Sequence, residues 1–99
     1  NVKGINFELS AFSYEEKIYT SILVKRSKKS KDTNPVNIRA EFFVIDPNNN
    51  VGDKQTQSLV YAEGEDYIRV KFTDFDIIRV DVILTVDGEE KELSAEVKR

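Results

Sequence analysis

The side chains best suited to hold a ligand are oxygen ligands that cluster in two short segments, 46–53 and 74–76. Carboxylate and amide oxygens are the hard ligands that calcium prefers. The Asp-x-Asn-x-Asn pattern that opens the first segment resembles the start of an EF-hand loop, but Val51 stands at that loop's glycine position and Gln57 at the position of its bidentate glutamate. Solvated turns rich in Asp and Asn are the commoner alternative. The candidate calcium ligands are Asp46, Asn48, Asp53, Asp74 and Asp76.

A second group of candidate contacts is a run of basic residues that precedes Asn34-Pro35. Such a loop can meet phosphate, a sulfated sugar or an acidic partner, or it can simply be solvated. No aromatic residue is interleaved with it, and the formal net charge of the chain is −3. The sequence therefore does not predict nucleic-acid binding. The candidate partner-binding residues are Lys25, Arg26, Lys28, Lys29 and Lys31.

Four tyrosines form a third group, because an amphipathic ring suits both a sugar and a peptide. The chain has no Trp, which makes a carbohydrate site less expected, and tyrosines on strands often pack against their neighbours instead. These residues are Tyr14, Tyr19, Tyr61 and Tyr67.

Composition argues against an enzyme. The chain contains no His and no Cys. Triads of the Ser-His-Asp or Cys-His kind are therefore excluded, together with thiolate metal sites and disulfides. We expect a non-catalytic protein without a cofactor; the alternatives are the calcium site described above and an enzyme that works only with carboxylates, Lys or Tyr. No apolar run approaches the ~20 residues of a membrane span, and no signal-peptide core is visible.

The elements that would position these residues are strands. Alternation of apolar and polar residues predicts strands over 4–12, 17–26, 36–45, 55–62 and 67–73, followed by a hairpin from Ile77 to Lys98. In the hairpin, Ile78, Val80, Val82, Leu84 and Val86 share one face, and Asp87-Gly88 suits a type I′ turn. A two-residue turn places Val82 opposite Leu93, whereas a four-residue turn places Leu84 there.

Seven strands with one apolar face each predict an all-β, two-sheet antiparallel sandwich that spans residues 1–99 as one domain. The expected inward-facing residues are Ile5, Phe7, Leu9, Ile18, Ile22, Val24, Ile38, Phe42, Val44, Ile68, Val70, Phe72, Val80, Val82, Leu84, Leu93 and Val97. In strand number and patterning the chain resembles the immunoglobulin-like and fibronectin type III-like sandwiches. The chain lacks the Cys, Trp and Cys of antibody-type domains, so the resemblance carries over no residue role.

The resemblance implies an interaction or spacer module of a larger extracellular or cell-surface protein, which we expect to be prokaryotic. Because the chain opens with Asn1 and contains no Met, we also expect it to be part of a longer protein. Strands that alternate in direction place the loops at 13–16, 46–53 and 74–76 at one pole and the other loops at the opposite pole. An odd number of strands then sends the two ends out at opposite poles. The alternative function is an accessory domain of a secreted enzyme that binds carbohydrate or calcium.

Overall fold

The computed structural model describes residues 4–26 and 34–99, which form seven β-strands. Each strand forms where apolar and polar residues alternate, because successive side chains of an extended chain point to opposite faces. The strands are β1 (Ile5–Tyr14), β2 (Lys17–Arg26), β3 (Val36–Ile45), β4 (Val51–Tyr61), β5 (Glu65–Thr73), β6 (Arg79–Val86) and β7 (Glu89–Glu96). None of the described residues belongs to a helix long and apolar enough to span a membrane.

Two antiparallel sheets pack face to face. One has three strands in the order β1-β2-β5, and the other has four in the order β4-β3-β6-β7. The chain crosses from one sheet to the other after β2, after β4 and after β5. The all-β, two-sheet antiparallel sandwich of seven strands is therefore confirmed.

The core lies between the inner faces of the two sheets. Every residue predicted to face inward is buried there except Phe7, Leu9, Leu93 and Val97, which are partly buried and pack against the core. Burial of such side chains is the main term that opposes the conformational entropy of the chain. The core also contains residues outside the predicted inward-facing set, namely Ala11, Val36, Ala40, Tyr61, Ile77 and Val86.

The C-terminal hairpin has the shorter of the two predicted turns. Val82 pairs with Leu93, and only Asp87 and Gly88 separate β6 from β7. Both turn residues have positive φ angles, 46° and 90°, as a type I′ turn requires. One prediction at its start was wrong: Ile78 is exposed, and Ile77 fills the core instead. Because β6 begins only at Arg79, Ile77 and Ile78 lie before the strand and do not follow its alternation of buried and exposed side chains.

The fourth strand begins earlier than its sequence predicted, at Val51. A bulge near the end of β3 shifts the register, so that Val51 pairs with Ile45. The strand passes close to its neighbour there, since a Cβ on Gly52 would lie 3.0 Å from the Val44 side chain. The loop between β3 and β4 is consequently shorter than the predicted segment 46–53.

Tyr61 connects the two sheets at the end of β4. Its ring is buried, and its hydroxyl donates to the carbonyl of Gly64 (2.6 Å) and accepts from the N–H of Arg26 (2.8 Å). The buried hydroxyl thus both donates and accepts a hydrogen bond, which avoids the cost of an unpaired buried polar group. Tyr61 therefore has a structural role, and it does not line an open site.

The C-terminal residues cross from the four-stranded sheet to the edge of the three-stranded one. Lys98 forms a parallel bridge with Phe12, donating its N–H to Ala11 O (3.0 Å) and accepting from the N–H of Ser13 (2.8 Å). This contact lies near the end of β1, whereas Ile5 at its start pairs with Arg26. The described ends of the chain therefore lie at opposite poles of a body whose Cα extents are 42 × 23 × 18 Å.

Candidate functional site

The loop after β3 uses its acidic residue to fix its own conformation. Oδ1 of Asp46 accepts from the backbone N–H groups of Asn48 (2.8 Å) and Asn50 (2.9 Å). The pKa of the Asp46 carboxyl is lowered, chiefly because the N–H of Asn50 donates to it. Asn49 has a positive φ angle of 64°, a conformation that Asn tolerates. Asp46 and Asn48, two of the calcium candidates, thus belong to a self-contained turn.

Asp74 has three partners on different elements of the chain. Its carboxylate accepts from the hydroxyl of Ser13 (2.8 Å), from the backbone N–H of Ile77 (3.1 Å) and from the guanidinium of Arg99 (2.6 Å). The bond from Arg99 is the main reason that the pKa of this carboxyl falls to about 2. Asp74 therefore ties the C-terminus to β1 and to the segment before β6.

The calcium candidates are at one pole, but they do not converge. Among the described residues, no three acidic side chains come close enough to hold a metal ion. Asp53 and Asp76 are exposed, Asn48 lies at the tip of its loop, and the carboxylates of Asp46 and Asp74 accept hydrogen bonds from the protein. Calcium binding stays a prediction.

The basic candidates are only partly described. Lys25 is paired with Glu65 at 3.2 Å, and the guanidinium of Arg26 lies 5.6 Å from the centre of the Tyr61 ring and donates to Asn34 O (2.6 Å). Lys28, Lys29 and Lys31 lie outside the described residues. The two described cations are therefore engaged with the protein itself.

The outer face of the three-stranded sheet combines aromatic and basic side chains that are distant in sequence. Near the pole that holds the C-terminus, the strand register places them in three adjacent rows across β1, β2 and β5. The central row is Lys98, Phe12, Tyr19 and Lys71, the next is Tyr14, Lys17 and Thr73, and the third is Ser10, Ser21 and Arg69. We call these residues the cationic aromatic patch.

The rings of the patch are open to solvent. Phe12 is 51% exposed, Tyr14 59% and Tyr19 36%. The rings of Phe12 and Tyr19 stack with their centroids 5.3 Å apart and an angle of 23° between their planes. Stacking of this kind fixes the rings in place, and it leaves their remaining surface free for a ligand.

The four cations of the patch, Lys17, Arg69, Lys71 and Lys98, form no ion pair with any described residue. Lys17 donates to the hydroxyl of Thr73 at 3.4 Å, and Arg69 lies 4.4 Å from the centre of the Tyr67 ring. The three rows contain no acidic residue. Because the whole chain carries a formal charge of −3, this face differs in sign from the rest of the surface.

The outer face of the four-stranded sheet is different. A groove of about 600 Å³ lies there between β3, β6 and β7, and Phe43, Ile83 and Glu92 contribute to its lining. Two of its three charges neutralise each other, since Arg79 pairs with Asp81 at 2.9 Å, and Glu92 is the third. Asp81 also accepts from the hydroxyl of Ser94 at 2.8 Å. The cationic aromatic patch therefore offers the larger unbalanced charge.

The sequence identified part of this patch. Tyr14 and Tyr19 were among the candidate tyrosines, whereas Tyr67 lies on the same face beyond the patch and Tyr61 is in the core. The cations were missed because they are spread over β2, β5 and the C-terminal segment and form no run in the sequence. The sequence shows only that these cations lie on the polar side of the alternation. That they form one patch follows only once the order of the strands is known.

Comparisons with known proteins support the fold. No family model matches the chain, and no curated protein matches it in sequence. Among solved structures, a penta-heme cytochrome c552 from Thermochromatium tepidum is similar over 95% of this chain and 39% of that chain, with 8% identity and a TM-score of 0.68. The Pseudomonas fluorescens alkylpurine DNA glycosylase AlkC, bound to DNA containing an abasic site analog, is similar over 97% and 31% of the two chains, with 13% identity and a TM-score of 0.51. This chain thus spans less than half of either protein, and at these identities the likeness shows a shared fold alone.

Proposed function

We propose that this chain is a non-catalytic interaction and spacer module of a larger extracellular or cell-surface protein. The observation that carries this proposal is the exit of the described ends at opposite poles of an elongated body. Modules with this geometry can be joined end to end without folding back on one another. Sandwich domains of similar architecture recur in cell-surface proteins, which supports the location by analogy.

We further propose that the sandwich is of the immunoglobulin-like or fibronectin type III-like kind. In immunoglobulin constant domains the first, second, fourth and fifth strands share one sheet and the third, sixth and seventh share the other. The present order differs in one respect, because β4 pairs with β3 and not with β5. The crossings between sheets after β2 and after β5 are as in those domains.

The attachment of the C-terminus supports the spacer role. Arg99 is held by Asp74, and Lys98 is hydrogen-bonded to the backbone of β1. Tension applied at this end would therefore act on several elements together, and not on β7 alone. A spacer needs this property, because an end strand that peels away would lengthen the module under load.

The spacer role predicts the shape of a tandem repeat. Two copies joined directly, Arg99 to Asn1, should form an extended particle whose maximum dimension in small-angle X-ray scattering is nearly twice that of one copy. The reason is that the junction connects opposite poles. A single copy is the control. A tandem particle no longer than the single copy would contradict the spacer role, because the two modules would then lie side by side.

A second candidate function is that of a carbohydrate-binding accessory domain. The cationic aromatic patch favours it, because exposed rings on a flat sheet face can stack on sugar rings while neighbouring hydroxyls and cations bond to their substituents. The two functions are compatible, since one depends on the ends of the chain and the other on a sheet face.

A further inference from the structure

We infer that the cationic aromatic patch binds an acidic polysaccharide, a polymer that carries carboxylates on its sugar rings. This inference rests on the second candidate function and names its ligand class. Four cations without ion pairs among the described residues surround the stacked pair of Phe12 and Tyr19. A neutral sugar would leave these cations without a counter-charge, whereas carboxylates spaced along a polymer would match them.

The dimensions of the patch suit a short stretch of polymer. Three rows along the strands and four positions across them cover about 14 Å in each direction, from the rise of a strand and the distance between strands. The surface is the outer face of a sheet, and its rings are exposed to solvent. An extended polymer can therefore lie across this face, and the face can bind an internal stretch of the polymer without having to enclose either of its ends.

The hydroxyl groups of the patch supply the remaining polar contacts. The hydroxyls of Ser10 and Ser21 lie 3.1 Å apart at one side of the stacked rings, and that of Thr73 lies at the other. Each hydroxyl both donates and accepts, as does the phenol of Tyr14. Sugar hydroxyls require the same dual capacity, which a patch made only of cations would lack.

A single-stranded nucleic acid is the rival ligand, because it also combines anions with rings that stack. Its phosphates follow at every nucleotide, so it needs a long basic track. Here the positive charge ends abruptly, with Glu8 beyond the serine row and Glu15 and Glu16 in the turn beyond Tyr14. The hydroxyls of Ser10, Ser21 and Thr73 favour a sugar polymer over such a strand, because its rings carry free hydroxyls with which they can bond.

The test is affinity electrophoresis in gels that contain polygalacturonate, neutral dextran, oligothymidylate or no polymer. We expect the protein to be retarded by polygalacturonate alone, and the retardation to weaken at high salt. Lys71→Ala should weaken binding by about fivefold or more, since it removes a charge-assisted contact. Phe12→Ala should weaken it similarly. Because Phe12 is 51% exposed, its truncation removes no core packing, and a thermal melt checks that the variant is folded.

Matched controls exist on other parts of the molecule. Lys54→Ala changes the net charge by the same amount on the other sheet, and Phe75→Ala removes a ring in a loop that is 71% exposed, against 51% for Phe12. Both should bind polygalacturonate within about twofold of the parent protein. Equal effects of Lys54→Ala and Lys71→Ala would overturn the inference, because binding would then follow net charge.

The remaining outcomes separate the ligand class from the proposed functions. Retardation by dextran as strong as by polygalacturonate would overturn the acidic class and keep a carbohydrate-binding role. Tighter binding to an oligothymidylate than to polygalacturonate would overturn it in favour of a nucleic acid. No retardation in any gel would overturn both the inference and the carbohydrate role, while the spacer role would still depend on the shape of the tandem repeat.

Discussion

Phe42→Ala is expected to lower the free energy of unfolding by about 3–5 kcal/mol, the usual cost of truncating a buried aromatic residue. Phe42 is fully buried in β3, where it lies between Gln55 of β4 and Val82 of β6. The side chain occupies the middle of the larger sheet and faces the other sheet, so neighbouring residues cannot easily close the cavity. Denaturant unfolding monitored by circular dichroism would measure the loss.

Phe75→Ala is the matched control for this prediction. Phe75 is 71% exposed in the segment between β5 and β6, so its truncation should change the free energy of unfolding by no more than about 0.5 kcal/mol. If Phe42→Ala does not fold, Phe42→Leu should fold with a smaller loss of about 1–2 kcal/mol. Equal losses in the Phe42→Ala and Phe75→Ala variants would contradict the sandwich core described above.

Asp74→Asn is expected to lower the free energy of unfolding by about 1–2 kcal/mol at neutral pH. The substitution removes the charge that holds Arg99, and it places an amide group near the guanidinium. The side chain of Asp74 is 8% exposed, whereas that of Arg99 is 50% exposed. We therefore expect less than the ~2.5 kcal/mol that a lowering of the pKa from 3.8 to about 2 would give without solvent screening.

The effect of Asp74 should depend on pH in a defined direction. Its pKa is lower in the folded protein than in the unfolded chain, so the unfolded chain binds a proton more readily. The carboxylate thus stabilises the fold fully above about pH 5, and this contribution disappears as the pH falls towards 2. The difference in stability between the parent protein and Asp74→Asn should shrink over the same range in thermal melts.

Asp76→Asn is the control for the pH dependence. Asp76 is an exposed neighbour with a positive φ angle of 59°, which Asn adopts readily. Its replacement should leave both the stability and its pH profile nearly unchanged. A constant gap between the parent protein and Asp74→Asn from pH 7 to pH 2 would show that the ion pair with Arg99 does not stabilise the fold.

The sequence predicted the strands well where alternation was unbroken. The bounds of β2 and β3 are those expected from their patterns, and the register of the last hairpin is one of its two expected forms. These elements have one buried and one solvated face, so the apolar residues alone fix the phase of each strand. The pattern failed at Ile77 and Ile78, because two adjacent isoleucines leave the phase undetermined.

The sheet order and the site were beyond the reach of the pattern. Alternation shows which side of each strand is buried, but it does not say which strands are neighbours. Lys17 and Lys71 share the outer face of the three-stranded sheet only because β2 pairs with β5. In the sequence these two strands are separated by β3 and β4, which belong to the other sheet. Similarly, the ion pair between Asp74 and Arg99 depends on the crossing of the C-terminus to β1.

The binding role of the outer face of the three-stranded sheet is tested most directly by NMR chemical-shift mapping with a short oligogalacturonate. We expect the largest amide shifts at Phe12, Tyr19 and Lys71 and at their neighbours on the outer faces of β1, β2 and β5. The amides of β3, β4, β6 and β7 should move little. Shifts centred on the four-stranded sheet, or no shifts at saturating ligand, would contradict the assignment of the cationic aromatic patch as the binding surface.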